Sequence, residues 1–374
     1  MKKENLDYEK EYDIETETKN ETEIPNDSFD LDSDPDFEIE DLNEEWEEDS
    51  ADEGDGRFSR KINFHFILIG LIAVVLIFAV VRLAIWSKGE KIEIDPNEDT
   101  SQFDVETEDY IMHVDPRFLE GHEDDGVQTI LCLGNEPFAS ERGENGIARQ
   151  LEQMLGENTV VYNAAFEGTT LSCQNSVYDE KVVSDAFCLY WLSKTITLQD
   201  FTLLDNAVDT FSQESPSAKE ALDTLKSVDM NAVDTLLIFY DGQDYLKDRI
   251  ITSPYDLSDI ATYTGSLRES LTLLQDSYPH IRIIVLSPAF ACQIGENGDY
   301  LPGSTTNTLY KNGFLSEYMI GEKNIAVEKG VTFIDNYYGT IHEDNYTEYL
   351  EDNIHLNDKG RTLAAERIVN IMGQ

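Results

Sequence analysis

Cysteine is rare in this sequence, with four residues among 374. So few cysteines exclude a small domain held together by several disulfides, and their spacings match no metal-binding pattern. Cys132 lies in an apolar run and is expected to be a small core residue. The sequence does not decide whether two of the residues Cys173, Cys188 and Cys292 form a disulfide. The sequence predicts no cofactor and no set of metal ligands.

Basic residues are also scarce. Lys and Arg number 27 against 76 Asp and Glu, which gives a formal net charge of -49 at pH 7. A chain of this charge is repelled by phosphate backbones, so we expect no nucleic acid partner. Basic partners, divalent cations or solubility alone remain as uses of the negative charge.

Residues 1–61 lack the regular spacing of apolar residues that helices and strands need. Asp and Glu dominate this segment, and its apolar residues are isolated, so we predict a disordered acidic tail. The tail is either a cytoplasmic docking segment, with Phe29, Phe37 and Trp46 as hydrophobic contacts, or only a solvated extension. The sequence does not reveal a partner for it.

Charge is absent from Phe66 to Val81, where Leu, Ile, Val and Phe fill nearly every position. A bilayer core of about 30 Å needs roughly 20 apolar residues in a helix, so residues 62–86 are predicted to form one transmembrane helix. The run begins beyond residue 60 and no small-x-small cleavage site follows it, which excludes a signal peptide. A buried core helix of this length would have a polar face.

The charges beside this span indicate its orientation. Arg57, Arg60 and Lys61 precede it closely, whereas Lys88 and Lys91 follow it. The positive-inside rule therefore favours a cytoplasmic N-terminus. We predict a single-pass protein of the cell membrane, with the C-terminal domain outside the cytoplasm.

Residues 87–126 are again polar and are predicted to form a stalk. From residue 127 onward, short apolar runs alternate with amphipathic segments. The five predicted strands are Val127–Leu133, Thr159–Tyr162, Val233–Tyr240, Ile281–Leu286 and Val331–Ile334. Helical spacing occurs over Asn145–Leu155, Asp185–Ser193, Ser217–Ser227, Leu267–Leu274, Thr308–Glu328 and Asp358–Ile371. Strands that are apolar on both faces and separated by helices indicate a parallel sheet covered on both sides. Residues 127–374 are therefore predicted to be one α/β domain.

In a parallel sheet, ligands bind beyond the carboxyl ends of the strands. The most informative residues there are Asp352 and His355, which follow the fifth strand and precede the last helix. An Asp three residues before a His can hold one ring nitrogen while the other faces a cleft, as in the orienter and base of a catalytic triad. A capping or surface role is the alternative for this short motif.

The strand ends resemble those of the SGNH, or GDSL-like, hydrolase family over about Val127–Gln374. Family members carry a nucleophilic Ser in a Gly-Asp-Ser turn after the first strand, a Gly after the second, Gly-x-Asn-Asp after the third, and a C-terminal Asp-x-x-His. Asp352 and His355 match fully, and Gly168 fits the glycine whose N–H stabilises an oxyanion. The resemblance implies a flavodoxin-like three-layer α/β/α fold and esterase or acyltransferase chemistry on acylated cell-envelope glycans.

Two of the four blocks depart from the family pattern. Asn135 and Glu136 stand where Asp and the nucleophilic Ser are expected, and Asp241 and Gln243 replace Gly and Asn. Loss of a nucleophilic Ser costs about 10⁶-fold in rate, so serine chemistry at the usual position is excluded. The predicted catalytic positions are His355, Asp352 and Glu136, and the predicted oxyanion or substrate-binding positions are Gly168, Gln243 and Asn135.

Three functions remain open on these residues. Glu136 and His355 could activate a water in a hydrolase of altered mechanism. The domain could instead be a pseudoenzyme that binds a glycan or a protein in its cleft. Ordinary ester chemistry would need another nucleophile, for which Thr169, Thr170, Ser172 and Ser287 follow strands while Ser140 lies beyond the turn. Tyrosines in the loops after the strands suit a carbohydrate ligand.

Overall fold

The computed structural model describes residues 72, 75, 76, 107–122, 125–301 and 312–374. Its contacts separate two units, Met1–Glu93 and Ile94–Gln374. The predicted acidic tail, the first part of the predicted stalk, and the predicted span apart from Ile72, Val75 and Leu76 lie outside the described residues. Those three residues are helical. Within the described ranges, no helix has the length and apolar character needed to cross a membrane.

The second unit is built around a parallel sheet of five strands. The seven strands of the described residues are β1 (Gln128–Gly134), β2 (Thr159–Asn163), β3 (Thr235–Phe239), β4 (Arg282–Leu286), β5 (Gln293–Ile294), β6 (Tyr300–Leu301) and β7 (Thr332–Ile334). The sheet has the order β2-β1-β3-β4-β7, and β5 and β6 form a separate antiparallel pair. All neighbours in the main sheet are parallel. The five predicted strands and their parallel arrangement are confirmed.

The core lies on both faces of this sheet. Leu131 of β1 is paired with Leu236 of β3, which in turn is paired with Ile283 of β4. Every residue from Ile130 to Gly134 and every residue of β3 is buried. Burial of consecutive residues, rather than alternate ones, requires cover on both sides of the sheet.

Helices supply that cover in a three-layer α/β arrangement. They are α1 (Glu136–Ala139), α2 (Ile147–Leu155), α3 (Leu189–Leu198), α4 (Thr202–Phe211), α5 (Ala218–Ser227), α6 (Gln243–Leu246), α7 (Tyr263–Ser277), α8 (Leu315–Lys329), α9 (Tyr346–Tyr349) and α10 (Asp358–Met372). Helix α7 packs against α3 and α8, and α2 packs against α10. The sequence analysis missed α4 and the three four-residue helices.

Two predicted helices begin later than their spacing indicated. The helix predicted from Thr308 begins at Leu315, because Gly313 has a positive φ of 135° and Glu317 accepts a hydrogen bond from the N–H of Phe314. The helix predicted from Asp185 begins at Leu189, after a 3₁₀ turn over Val183–Phe187. A capping hydrogen bond, which apolar spacing does not record, sets the first start, and the 3₁₀ turn sets the second.

The end of the predicted stalk packs onto the domain. Tyr110 forms an antiparallel bridge with Phe333 beside β7, and the N–H of Met112 donates to Thr332 Oγ1 at 3.0 Å. Arg367 of α10 donates to Asp109 at 2.8 Å. Residues 109–112 therefore extend the edge of the sheet, although they precede residue 127.

The cysteines divide into one pair and two single residues. Cys173 and Cys188 form a disulfide across a sequence separation of 15 residues. Cys132 and Cys292 are buried free thiols. The expectation that Cys132 is a core residue is confirmed.

Candidate active site

The turn after β1 is shaped by a close approach of two strands. Gly134 has a φ of 148°, and a Cβ at this position would lie 1.9 Å from the carbonyl oxygen of Phe239 in β3. Only glycine fits there. Asn135 follows as the N-cap of α1, and Glu136 is the first residue of that helix. The glycine thus places Glu136 at the carboxyl edge of the sheet.

Glu136 occupies the position that the sequence analysis assigned to a nucleophile. Its Oε1 accepts a hydrogen bond of 3.1 Å from the backbone N–H of Gly168. Gly168 has a φ of 84° and lies in the turn after β2. The carboxylate therefore takes the donor that an oxyanion would use, because one N–H cannot serve both oxygens fully.

Asn135 points away from solvent, into a network beneath the turn. Its side chain is completely buried, and Nδ2 donates to Asp241 Oδ1 at 2.7 Å and to the carbonyl of Thr169 at 3.1 Å. The N–H of Asp241 donates back to Asn135 Oδ1 at 2.9 Å. Because both ends of the amide are used, Asn135 ties the turns after β1, β2 and β3 together and is not placed to bind substrate.

Gln243 lies beside this network, as the first residue of α6. Its N–H donates to Asp241 Oδ1 at 3.0 Å, and the residue is half-buried. Asp241 itself was noted in the sequence only as a departure from the family pattern. The structure places it within the site, directly after β3, and the replacement of a glycine by a carboxylate was the signal that could have found it.

The loop before α10 holds Asp352 and His355 in the predicted arrangement. Asp352 Oδ2 lies 2.5 Å from His355 Nδ1. Asp352 Oδ1 accepts the N–H groups of Ile354 at 2.9 Å and His355 at 2.7 Å. The carboxylate thus fixes both the loop and the ring, and Nε2 is the ring nitrogen left for chemistry.

Three of these side chains converge. One carboxylate oxygen each of Glu136 and Asp241 and one ring nitrogen of His355 all lie within 4.8 Å of one another. Glu136 and His355, which the sequence places after two different strands, thus meet at the carboxyl edge of the sheet. Asp241 completes a group of two acids and one histidine, and Asp352 orients the histidine.

Burial governs the protonation of the two acids. It raises the pKa of Glu136, although hydrogen bonds from the Glu136 and Gly168 N–H groups and the charges of His355 and Lys247 act in the opposite direction. The pKa of Asp241 is raised well above its usual range by burial and by the neighbouring Glu136. The site thus favours positive or neutral partners for these carboxylates.

Asp352 behaves differently. Its partial burial would raise the pKa, but the hydrogen bonds from the backbone N–H and the ring of His355 and from the N–H of Ile354 outweigh this and lower it. Asp352 is therefore a carboxylate at neutral pH. It can stabilise a positive charge on the ring that it holds.

The hydroxyl groups considered as alternative nucleophiles are engaged elsewhere. Ser140 donates to the carbonyl of Glu136, and Thr169 donates to the carbonyl of Phe166. Thr170 and Ser172 donate to the carbonyl of Ser172 and to Asp244, respectively. The hydroxyl of Ser287 donates to the carbonyl of Pro288 and accepts the N–H of Asn336. None of the five hydroxyls is hydrogen-bonded to His355 in the described part of the chain.

Two further residues support the site: Asp244, which the resemblance places at the last Asp of the Gly-x-Asn-Asp block, and Lys247, which was not predicted from the sequence. Asp244 is buried and accepts the N–H groups of Leu171 and Ser172 at 2.8 Å and 3.1 Å, so it anchors the loop that carries Gly168. Lys247 Nζ lies 3.4 Å from the carbonyl oxygen of Gly168 and brings positive charge near Glu136. The position of Lys247 shortly after β3 was the signal that could have found it.

The loop tyrosines divide by exposure. Tyr245, Tyr263 and Tyr337 are buried and pack in the core, so they cannot stack on a sugar. Tyr255 is 98% exposed, and Tyr300 is also exposed. Tyr310 lies outside the described residues. The aromatic support for a carbohydrate cleft is therefore weaker than the sequence indicated.

A cavity of about 390 Å³ lies away from this group. Met112, Ile281, Arg282, Ile283 and Thr332 line it at the amino ends of β4 and β7. Catalytic groups of parallel sheets collect at the carboxyl ends, so this cavity is not the candidate site.

The chain is similar to several solved structures. It has 12% identity to a carbohydrate acetylesterase from Sinorhizobium meliloti, with a TM-score of 0.40 and coverage of 66% of this chain and 98% of that one. It has 16% identity to an aryl esterase from M. smegmatis, with a TM-score of 0.39 and coverage of 66% and 100%. No protein-family profile and no curated protein sequence matches the chain.

Proposed function

We propose that this protein is a membrane-anchored, extracytoplasmic member of the SGNH hydrolase-like group that binds acylated cell-envelope glycans without serine chemistry. The observation that carries the proposal is the carboxylate of Glu136, which accepts the N–H of Gly168 beside a His355 held by Asp352. Among the described residues, a domain with this arrangement offers no hydroxyl that is hydrogen-bonded to His355. It therefore recognises the acyl group rather than removing it.

The apolar run of residues 62–86 supports membrane anchoring, since its length suits a bilayer. The Cys173–Cys188 disulfide supports a location outside the cytoplasm, because disulfides persist in oxidising compartments. Protease added to intact cells should then remove residues 100–374 and spare residues 1–56. Digestion of the tail instead would contradict this orientation.

The chemical part of the proposal is tested with a fluorophosphonate probe, which labels only a hydroxyl activated by a neighbouring base. The wild-type chain should stay unlabelled. Glu136→Ser should become labelled, because it restores a hydroxyl beside His355, and Glu136→Ser/His355→Ala should lose the label again. Strong labelling of the wild type would mean that another Ser or Thr is the nucleophile.

The binding part is tested with an O-acetylated peptidoglycan preparation and the same preparation after alkaline deacetylation. The full chain, solubilised in detergent, should prefer the acetylated material and leave its acetyl groups in place. Equal binding to both preparations would contradict recognition of the acyl group. Release of acetate by the wild type, lost in Glu136→Gln, would instead favour a hydrolase in which Glu136 and His355 activate water.

A further inference from the structure

Glu136, Asp241 and His355 come from three separate segments, yet their donor atoms lie within 4.8 Å of one another. Glu136 begins α1, Asp241 follows β3, and His355 precedes α10. Two of the three are carboxylates inside the protein, with exposed fractions of 7% for Glu136 and 5% for Asp241. Two buried acids this close together need a proton or a cation between them.

Each acid keeps one oxygen without a hydrogen-bond partner among the described residues. Glu136 Oε1 accepts the N–H of Gly168, which leaves Oε2 buried and unpaired. Asp241 Oδ1 accepts from Asn135 and Gln243, which leaves Oδ2 buried and unpaired. Buried oxygens in this state are costly unless a ligand satisfies them.

The histidine is already oriented as metal-binding histidines are. Asp352 holds Nδ1 at 2.5 Å, and this leaves Nε2 as the ring nitrogen that can bind a metal. A carboxylate that fixes the other ring nitrogen is the common support of histidines that bind metals. The same contact also orients a catalytic base, so the two unpaired carboxylate oxygens are what distinguish the cases.

We propose that Glu136, Asp241 and His355 bind one divalent transition-metal cation, of the Zn²⁺ or Mn²⁺ class. Two carboxylate oxygens and one imidazole nitrogen suit these ions, whereas Ca²⁺ and Mg²⁺ prefer oxygen ligands alone. Ligand atoms about 2.0–2.2 Å from a tetrahedral ion are about 3.3–3.6 Å apart, so the side chains close in by about 1 Å on binding. Three protein ligands leave a position for water or for an oxygen of a ligand.

This inference goes beyond the proposed function, since it needs only the three side chains and not a glycan. A cation here would neutralise the negative charge of the two buried acids. It would also explain why the position of a nucleophile carries a carboxylate.

Isothermal titration of the full chain in detergent tests the site. The protein is first stripped with a chelator and then titrated with Zn²⁺, and separately with Mn²⁺, in excess Mg²⁺ to occupy the acidic tail. We expect one saturable site per chain. Glu136→Gln, Asp241→Asn and His355→Gln should each weaken it by at least about 10-fold, and Asp352→Asn by about 10–100-fold. Asp223→Asn, an exposed acid on α5, is the matched control and should bind like the wild type.

A second measurement guards against variants that fail to fold. Zn²⁺ should raise the melting temperature of the wild type and of Asp223→Asn, because a ligand of the native state stabilises it, but not that of His355→Gln. Equal binding by the wild type and the three ligand variants would assign the metal to the tail and overturn the inference. The absence of a saturable site would overturn it too. If no saturable metal site is found but the chelated protein still prefers acetylated glycan, only the cation inference fails and the proposed function stands.

Discussion

The loop of Asp352 and His355 and the turn of Asn135 and Glu136 meet at the carboxyl edge of the sheet but differ in how far they match the predicted pattern. In the loop, Asp352 still holds the His355 ring through Nδ1. In the turn, Gly134 sets the backbone shape, and Glu136 carries a carboxylate where the sequence resemblance predicts a nucleophile. The comparison teaches that glycines and capping hydrogen bonds set the backbone of these turns, whereas the residue at position 136 decides their chemistry.

The change in the turn is matched by a change after β3. A serine at position 136 would need the N–H of Gly168 free for an oxyanion, whereas Glu136 uses that N–H itself. Asp241, where a glycine is expected, adds a second acid to the same space. Two acids in place of a hydroxyl and a glycine are better suited to binding a positive ion than to stabilising a negative oxygen.

The largest expected effect appears when a hydroxyl at position 136 is combined with the Asp352–His355 pair. In a Glu136→Ser background, Asp352→Asn should slow fluorophosphonate labelling by up to about 10⁴-fold, because the ring loses the carboxylate that orients it and stabilises its charge. The measurement is the labelling rate of the single and the double variant. Exposed Asp223→Asn in the same background is the control. Similar rates in all three proteins would mean that the Asp352–His355 contact does not act on position 136.

The next effect tests how the Gly168 loop is held. Asp244→Ala removes the acceptor of the Leu171 and Ser172 N–H groups and leaves buried donors unpaired. We expect a loss of about 3–5 kcal/mol in the free energy of unfolding, measured by urea denaturation. Asp244→Asn keeps one acceptor and should lose less. If Asp244→Ala unfolds like the wild type, the loop is anchored by other contacts.

A loss of about 3 kcal/mol is expected from the variant Cys173→Ser/Cys188→Ser. A disulfide that closes a loop of about 15 residues stabilises mainly by restricting the unfolded chain. Cys292→Ser, which removes a buried free thiol, is the control for the loss of sulfur. Equal stability of the double variant and the wild type would contradict this prediction.

The smallest effect concerns pH and a carboxylate outside the cleft. Burial raises the pKa of Glu322 well above its usual range, and Tyr263 donates to it at 2.9 Å. The native state then holds this proton more tightly than the unfolded state, so its stabilisation is full below about pH 4.5 and is lost as the pH rises through the folded pKa. Glu322→Gln should make the fall of melting temperature above about pH 4.5 less steep.

Glu328 on the same helix gives the opposite sign. The hydrogen bond from Arg268 lowers its pKa, so its contribution is present above about pH 4.5 and is lost in acid. Glu328→Gln should therefore flatten the rise of stability with pH below about pH 4.5 and leave the slope above that pH unchanged. A shallower fall above about pH 4.5 in both variants would show that general charge repulsion, rather than burial of Glu322, sets the pH dependence.

Much of the fold could be predicted from the sequence. Apolar runs such as Val233–Tyr240, separated by segments of helical spacing, favour buried strands joined by parallel connections. The helix α4 was missed although Leu204, Ala207, Val208 and Phe211 recur at helical spacing. One helix start was displaced by the side-chain cap of Glu317 and another by a 3₁₀ turn.

The amino-acid sequence by itself determined the parallel α/β fold and the Asp352–His355 pair, and it placed Glu136 after the first strand. Each of these can be predicted from local spacing or from the identity of one residue. Only the tertiary structure decided that Asn135 is buried, that Glu136 takes the N–H of Gly168, and that Asp241 joins His355. These contacts link residues more than 30 positions apart, and their geometry depends on how three strand ends meet, which no local pattern records.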